Sequence, residues 1–193
     1  MKGITRSAQV FVAALLLAVT RVPSALAGEA GPSGSRLTIS ATGGRPPWAA
    51  CSLAKRTPQK VIARYSRDFA IPRNGGPAIN KGSTTLRCGD KGWGYFHVKT
   101  KHYREWSNLS SWSNYQTWMD VAHAGLVKTL ADPDKVTYSS RRETFCLSAK
   151  INYYRDDQYV TSKIILTILG KDMNIVSTYP SQNDKQCEEN SHD

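Results

Sequence analysis

Between positions 114 and 130 the apolar residues recur at helical spacing, and Trp118, Val121, Ala122, Leu126 and Leu130 fall on one face. Asp132-Pro133-Asp134 then stops the predicted helix. Beyond that stop the pattern turns strand-like over 143–151, 159–169 and 173–179. Gly170-Lys171-Asp172 reads as a tight hairpin turn between the last two. In the last segment Ile175, Ser177 and Tyr179 share one face, and Asn174, Val176 and Thr178 share the other. Ser177-Thr178-Tyr179 therefore sets three hydroxyls beside a strand end. Helices followed by an antiparallel β-meander predict a single α+β domain.

The earlier part of the chain is patterned more weakly. Residues 28–47 are rich in Gly, Pro and Ser and read as a flexible leader, with a short strand expected at 37–40. Residues 48–87 carry scattered apolar positions such as Val61, Ile62 and Phe69, broken by Pro72 and Asn74-Gly75-Gly76-Pro77. They suggest no more than a short helix at 58–66, and this N-terminal part of the domain stays unassigned. Asp90-Lys91-Gly92-Trp93-Gly94 is a turn, and residues 97–106 fit either a short helix or an extended loop. The tail, residues 181–193, is polar and expected to be loose apart from Cys187.

Residues 1–27 read as a signal peptide: Lys2 and Arg6 in the n-region, an apolar run over 10–19, and Ala25-Leu26-Ala27 as the cleavage pattern. The run is about half of the roughly 20 residues that a membrane-spanning helix needs. The expectation is a secreted protein, extracellular or periplasmic, with no membrane association, and a likeness to a retained anchor is set aside. Cleavage after Ala27 would remove Lys2, Arg6 and Arg21 and no acid, lowering the net charge from +11 to +8. Such a surface favours anionic partners: nucleic acid, acidic polysaccharide or anionic membrane.

An even cysteine count in an oxidising compartment implies two disulfides among Cys51, Cys88, Cys146 and Cys187, with three possible connectivities. Cys88 and Cys146 both adjoin segments assigned to the core, which favours Cys88–Cys146 and leaves Cys51–Cys187 to tie the peripheral ends. No CxxC or Cys/His spacing points to zinc, and no metal or cofactor is expected.

The densest chemistry lies in residues 94–106, where His97 and His102 stand five apart with Lys99 and Lys101 between them and Arg104 just after. Imidazoles titrate near neutrality, so such a pair can supply an acid and a base. The cations can hold a phosphate. Flanking aromatic residues can stack on a nucleobase, with Trp112 the best placed because it stands in a polar stretch. Arg142, in Arg141-Arg142 before the first predicted strand, is a further candidate for reaching an open sheet face. His123 reads as a packing residue beside the apolar stripe, and His192 falls in the tail. Glu105 adjoins the cluster, its charge matched by Arg104 or Lys101.

Gly94, His97, the nearby His102 and Trp106, a helix, and a meander whose last strand ends in Thr178-Tyr179-Pro180 together resemble the barnase/EndoU-like superfamily of small ribonucleases, whose bacterial members include secreted and toxin-domain proteins. The resemblance covers residues 88–180. It implies metal-independent RNA cleavage by 2′-hydroxyl attack to a 2′,3′-cyclic phosphate, with His97, His102, Thr178 and Tyr179 in the catalytic positions and Lys99, Lys101, Arg104, Arg142 and Trp112 binding substrate. No carboxylate occupies an evident catalytic slot, which leaves the acid and base roles of the two histidines open. RNA is then the expected partner of a monomer, with a neutralising inhibitor protein a second candidate. The competing expectation is a non-enzymatic secreted basic protein that binds an acidic polymer or a protein. No Gly-x-Ser-x-Gly elbow or HExxH motif supports other hydrolase classes.

Overall fold

The structure, a computed structural model, describes residues 35–36, 48, 51, 57–115 and 117–189. The signal-peptide segment 1–27, the strand expected at 37–40, nearly all of the leader 28–47 and His192 lie outside the described residues. The fold is mixed α+β. Four strands pair antiparallel in sequence order: β4 (Lys135–Ser139), β5 (Thr144–Arg155), β6 (Gln158–Gly170) and β7 (Ile175–Ser181). A two-residue strand, β1 (Ser35–Arg36), joins β5 in parallel beside Ile151 and Asn152. A second sheet is the hairpin of β2 (Val61–Arg67) and β3 (Gly82–Arg87). Between the sheets in sequence come α1 (Gly94–Lys101), α2 (Tyr103–Trp112) and α3 (Trp118–Ala131). A short α4 (Lys185–Glu189) ends the described chain.

The helix expected at 58–66 is instead β2. Its inward positions include Tyr65 and Arg67, with Arg64 and Ser66 exposed between them, which is a strand alternation. The buried guanidinium of Arg67 is satisfied by the carbonyl oxygens of Asn80 and Ser83 and by Thr84 Oγ1, so a charged residue faces inward without an unpaired donor. The hairpin and the preceding segment deliver Trp48, Tyr65, Ile79 and Leu86 to the main core.

In β5 the side chains of Phe145, Leu147, Ile151 and Tyr153 face that core, where α2 and α3 contribute Trp106, Leu109, Val121, Leu126 and Leu130. Cys146 falls on the opposite face of β5, in a smaller cluster with Leu166 and Cys187. This alternation corrects the favoured cysteine pairing. Cys51 bonds Cys88 on the side of the main core, and Cys146 bonds Cys187, with Cα atoms 5.6 and 5.4 Å apart respectively. A residue beside the core segments in sequence thus points away from the core in space. The described part of the tail, through residue 189, is correspondingly held: Thr137 Oγ1 donates to the Cys187 carbonyl at 2.8 Å, and Lys135 pairs with Asp184 at 3.2 Å and with Glu188.

The start of α3 follows from its cap. Thr117 Oγ1 accepts from the Asp120 amide at 3.3 Å, and the Asp120 carboxylate accepts from the Thr117 amide at 2.9 Å, a reciprocal capping box. The helix ends at Ala131, directly before Asp132-Pro133. Gly125, on its inward side, lies against the rings below: a Cβ there would stand 2.9 Å from Trp106 Cη2 and 3.1 Å from Ile165 Cγ2. Alanine is a better helix former by about 1 kcal/mol, whereas overpacking a tight core costs about 1–3 kcal/mol. Gly125→Ala is therefore expected to lower the urea unfolding midpoint; a higher midpoint would show that the Trp106 ring shifts freely.

Candidate active site

Two glycines fix where α1 begins. Gly89 and Gly94 both adopt positive φ, +63° and +74°. A Cβ on Gly89 would lie 1.9 Å from the Trp93 carbonyl oxygen, and one on Gly94 would lie 2.8 Å from that of Arg87. This closed turn follows disulfide-bonded Cys88 and sends α1 across the end of the hairpin. α1 buries Tyr95, Phe96 and Val98, leaving His97 half-buried and Lys99 and Lys101 exposed. Lys99 Nζ sits 5.9 Å from the centre of the Tyr95 ring.

His102 is the break between helices, the C-cap of α1 and the N-cap of α2, with φ −120° and ψ 5°. In an unbroken helix two residues five apart would point about 140° away from each other. The break brings the two imidazoles together instead, their ring centroids 5.5 Å apart and their planes at 66°. His102 also stacks on Tyr179, the centroids 4.3 Å apart and the planes at 13°. His97 Nδ1 lies 2.8 Å from the Lys91 carbonyl oxygen. A carbonyl only accepts, so Nδ1 of His97 is the donor in this contact.

Glu105, one turn beyond His102 in α2, places Oε1 3.7 Å from His102 Nδ1. That nitrogen is buried and within hydrogen-bond distance of no described group, so the carboxylate is an ion-pair neighbour poised just short of a hydrogen bond. The His102 pKa is lowered. Burial is the main cause, reinforced by His97 and Lys101 and opposed by Glu105. His102 is therefore held toward its neutral form. Sequence reasoning had matched Glu105 to Arg104 or Lys101. The spacing of three residues to His102 would have flagged it, had the helix start at Tyr103 been read.

The strand-end pair divides. Adjacent residues of β7 point to opposite faces, so Tyr179 meets His102 while Thr178 turns inward. The Thr178 side chain is fully buried and in reach of Thr167 Oγ1 at 3.2 Å, which in turn lies 2.7 Å from Thr129 Oγ1. Thr178 is thus a core hydroxyl and no part of the histidine site. Arg142 is also set apart: it lies in the turn before Thr144, which pairs with Gly170, whereas Tyr179 pairs with Leu166. Four residues of strand span about 13 Å. Lys99, Lys101 and Arg104 line one depression of about 530 Å³ beside the pair. Trp112 lines a second of about 300 Å³. Neither imidazole lines either depression; Glu105 lines both and connects them to His102.

His123 belongs to packing. Its Nδ1 lies 3.1 Å from the Tyr65 hydroxyl, which accepts from Trp48 Nε1 at 2.5 Å. The Tyr65 hydroxyl thus bridges the Trp48 indole and the His123 ring. Burial lowers the His123 pKa, with Asp120 opposing. The folded-state values of His102 and His123 both lie below the unfolded value of about 6.5, so the unfolded chain takes up protons first as pH falls. Stability is full above that value and is lost below it. The expected result is a melting temperature that drops between about pH 7.5 and about pH 5. A rise over that interval would contradict the placement of both rings.

Among the described residues there is no group of three or more His, Cys, Asp or Glu side chains able to hold a metal ion, and no helix long and apolar enough to cross a membrane. No family model matches the chain. It is similar to uncharacterized proteins of Mycobacterium tuberculosis from strains H37Rv and CDC 1551, each 27% identical over 136 residues, which cover 69% of this chain and 49% of theirs. The chain spans about half the length of these curated relatives.

Proposed function

We propose that the protein is a secreted endoribonuclease of the barnase/EndoU-like kind that cleaves RNA without a metal. The observation that carries this reading is the pair of imidazoles 5.5 Å apart, one of them stacked on Tyr179 and shifted toward its neutral form. In the proposed reaction, neutral His102 takes the proton of the ribose 2′-hydroxyl as its oxygen attacks phosphorus. The bond from phosphorus to the 5′-oxygen breaks, and His97 Nε2 gives that oxygen a proton. The products are a 2′,3′-cyclic phosphate and a free 5′-hydroxyl, and no further reactant is consumed. Lys99, Lys101 and Arg104 supply positive charge for the phosphorane. Export is supported by the two disulfides, which persist in oxidising compartments.

A second reading draws on a separate observation, namely that both depressions beside the pair are lined without either imidazole. A basic protein that only binds an acidic polymer would need no more than those cationic walls. Incubation with single-stranded RNA in excess chelator decides between them. Fragments ending in 2′,3′-cyclic phosphate are expected, and intact RNA bound to the protein would leave the binding protein in place of the enzyme.

A further inference from the structure

One side of α2 repeats at helical spacing through Glu105, Asn108, Leu109 and Trp112. Leu109 is buried, whereas Trp112 at the helix end is 45% exposed. Facing this side are Lys163 of β6 and Pro180 to Gln182 at the end of β7. The β6–β7 register sets Ile165 opposite Pro180 and Ile164 opposite Ser181, which brings Lys163 beside Gln182. The resulting depression of about 300 Å³ has an apolar floor of Leu109 and Pro180, an indole wall, and amide, hydroxyl and ammonium groups around it. It shares Glu105 and Asn108 with the depression that holds Lys99, Lys101 and Arg104. Four cations and one carboxylate therefore border two adjacent depressions.

We propose that the Trp112 depression is a nucleobase subsite, in which one base of a single-stranded RNA stacks on the indole while neighbouring phosphates lie against Lys163 on one side and Lys99, Lys101 and Arg104 on the other. The choice of RNA rests on the ribonuclease reading; the subsite itself does not depend on cleavage. A base can lie flat on an indole only when it is unstacked from its neighbours, so the strand is single. An acidic polysaccharide or an acidic peptide would use the cations but has no aromatic plane for the indole. The polar groups around the floor suit base edges, and cations border both depressions.

A single-stranded 2′-deoxy oligonucleotide tests this, since it offers bases and phosphates but no hydroxyl to attack. Its dissociation constant is measured over a range of salt, beside that of an abasic oligonucleotide of equal length. Trp112→Ala is expected to weaken binding of the first at least about fivefold and to leave the second unchanged, with Trp112→Phe restoring most of the loss. Lys163→Ala is expected to weaken both and to reduce the salt slope by about 0.7. Equal losses on the two oligonucleotides, no loss with Trp112→Ala, or tighter binding of heparin or polyglutamate than of the oligonucleotide would each overturn the subsite. A parent that binds through Trp112 but leaves RNA uncut upholds the subsite and refutes the enzyme. A parent that cuts RNA while Trp112→Ala binds normally does the reverse.

Discussion

His97→Ala and His102→Ala are each expected to reduce RNA cleavage by at least about 100-fold, the lower end of what a general acid or base contributes. The double variant should be little worse than either single one, because the two groups act in one step. The pH–rate profile of the parent should be bell-shaped, since one imidazole must be neutral while the other is protonated. Glu105→Gln gives a finer readout. Removing the carboxylate that opposes the lowered His102 pKa should carry the acid limb to lower pH while the fold persists. A double His97/His102 variant that cuts RNA as fast as the parent would refute the assignment outright. His123→Ala, by contrast, should act through stability alone, because its ring is engaged by Tyr65.

Trp106→Ala is expected to be the most damaging single change to the fold. The side chain is fully buried in the main core, and its Nε1 donates to the Thr178 carbonyl at 3.1 Å. Large-to-small truncation of such a ring costs about 3–5 kcal/mol, a large share of the 5–15 kcal/mol that holds a typical domain. Trp106→Phe would keep part of the packing but strand the Thr178 carbonyl, for about 1–3 kcal/mol. Because Tyr179 follows Thr178 directly and stacks on His102, the Phe variant should also weaken activity beyond what unfolding explains. Denaturant titration gives the first quantity and turnover of the folded fraction gives the second. A loss below about 1 kcal/mol for Trp106→Ala would mean that the core collapses around the vacancy.

The later half of the fold was legible because its signals were local. α3 carries an uninterrupted 3.6-residue stripe and an Asp-Pro stop, and β5 to β7 carry long apolar runs with a short turn between the last two. The hairpin of β2 and β3 was illegible for two reasons. Its strands are separated by the long segment 68–81, and an inward-facing arginine breaks the apolar alternation until its acceptors are known. β4 was missed because five residues with three hydroxyl side chains give little pattern, although their register with β5 is regular. At the site, the proximity of the two histidines was readable but its cause was not. A helix break at His102 has no proline or glycine to announce it. Thr178 and Tyr179 were both given catalytic positions, although the alternation already set them on opposite faces and only Tyr179 meets His102.

The cysteine connectivity has a consequence for how the chain matures. Its bridges join first to second and third to fourth, at sequence separations of 37 and 41. A chain entering an oxidising compartment N-terminus first would expose Cys51 and Cys88 well before Cys146, so the first pair able to close is already a native one. The remaining two thiols then have only each other. Had the bridges been nested, the earliest available partner would have been a wrong one, and every molecule would have needed a round of thiol–disulfide exchange before it could finish folding. Oxidative folding of this chain should therefore depend on an oxidant and hardly at all on an isomerase.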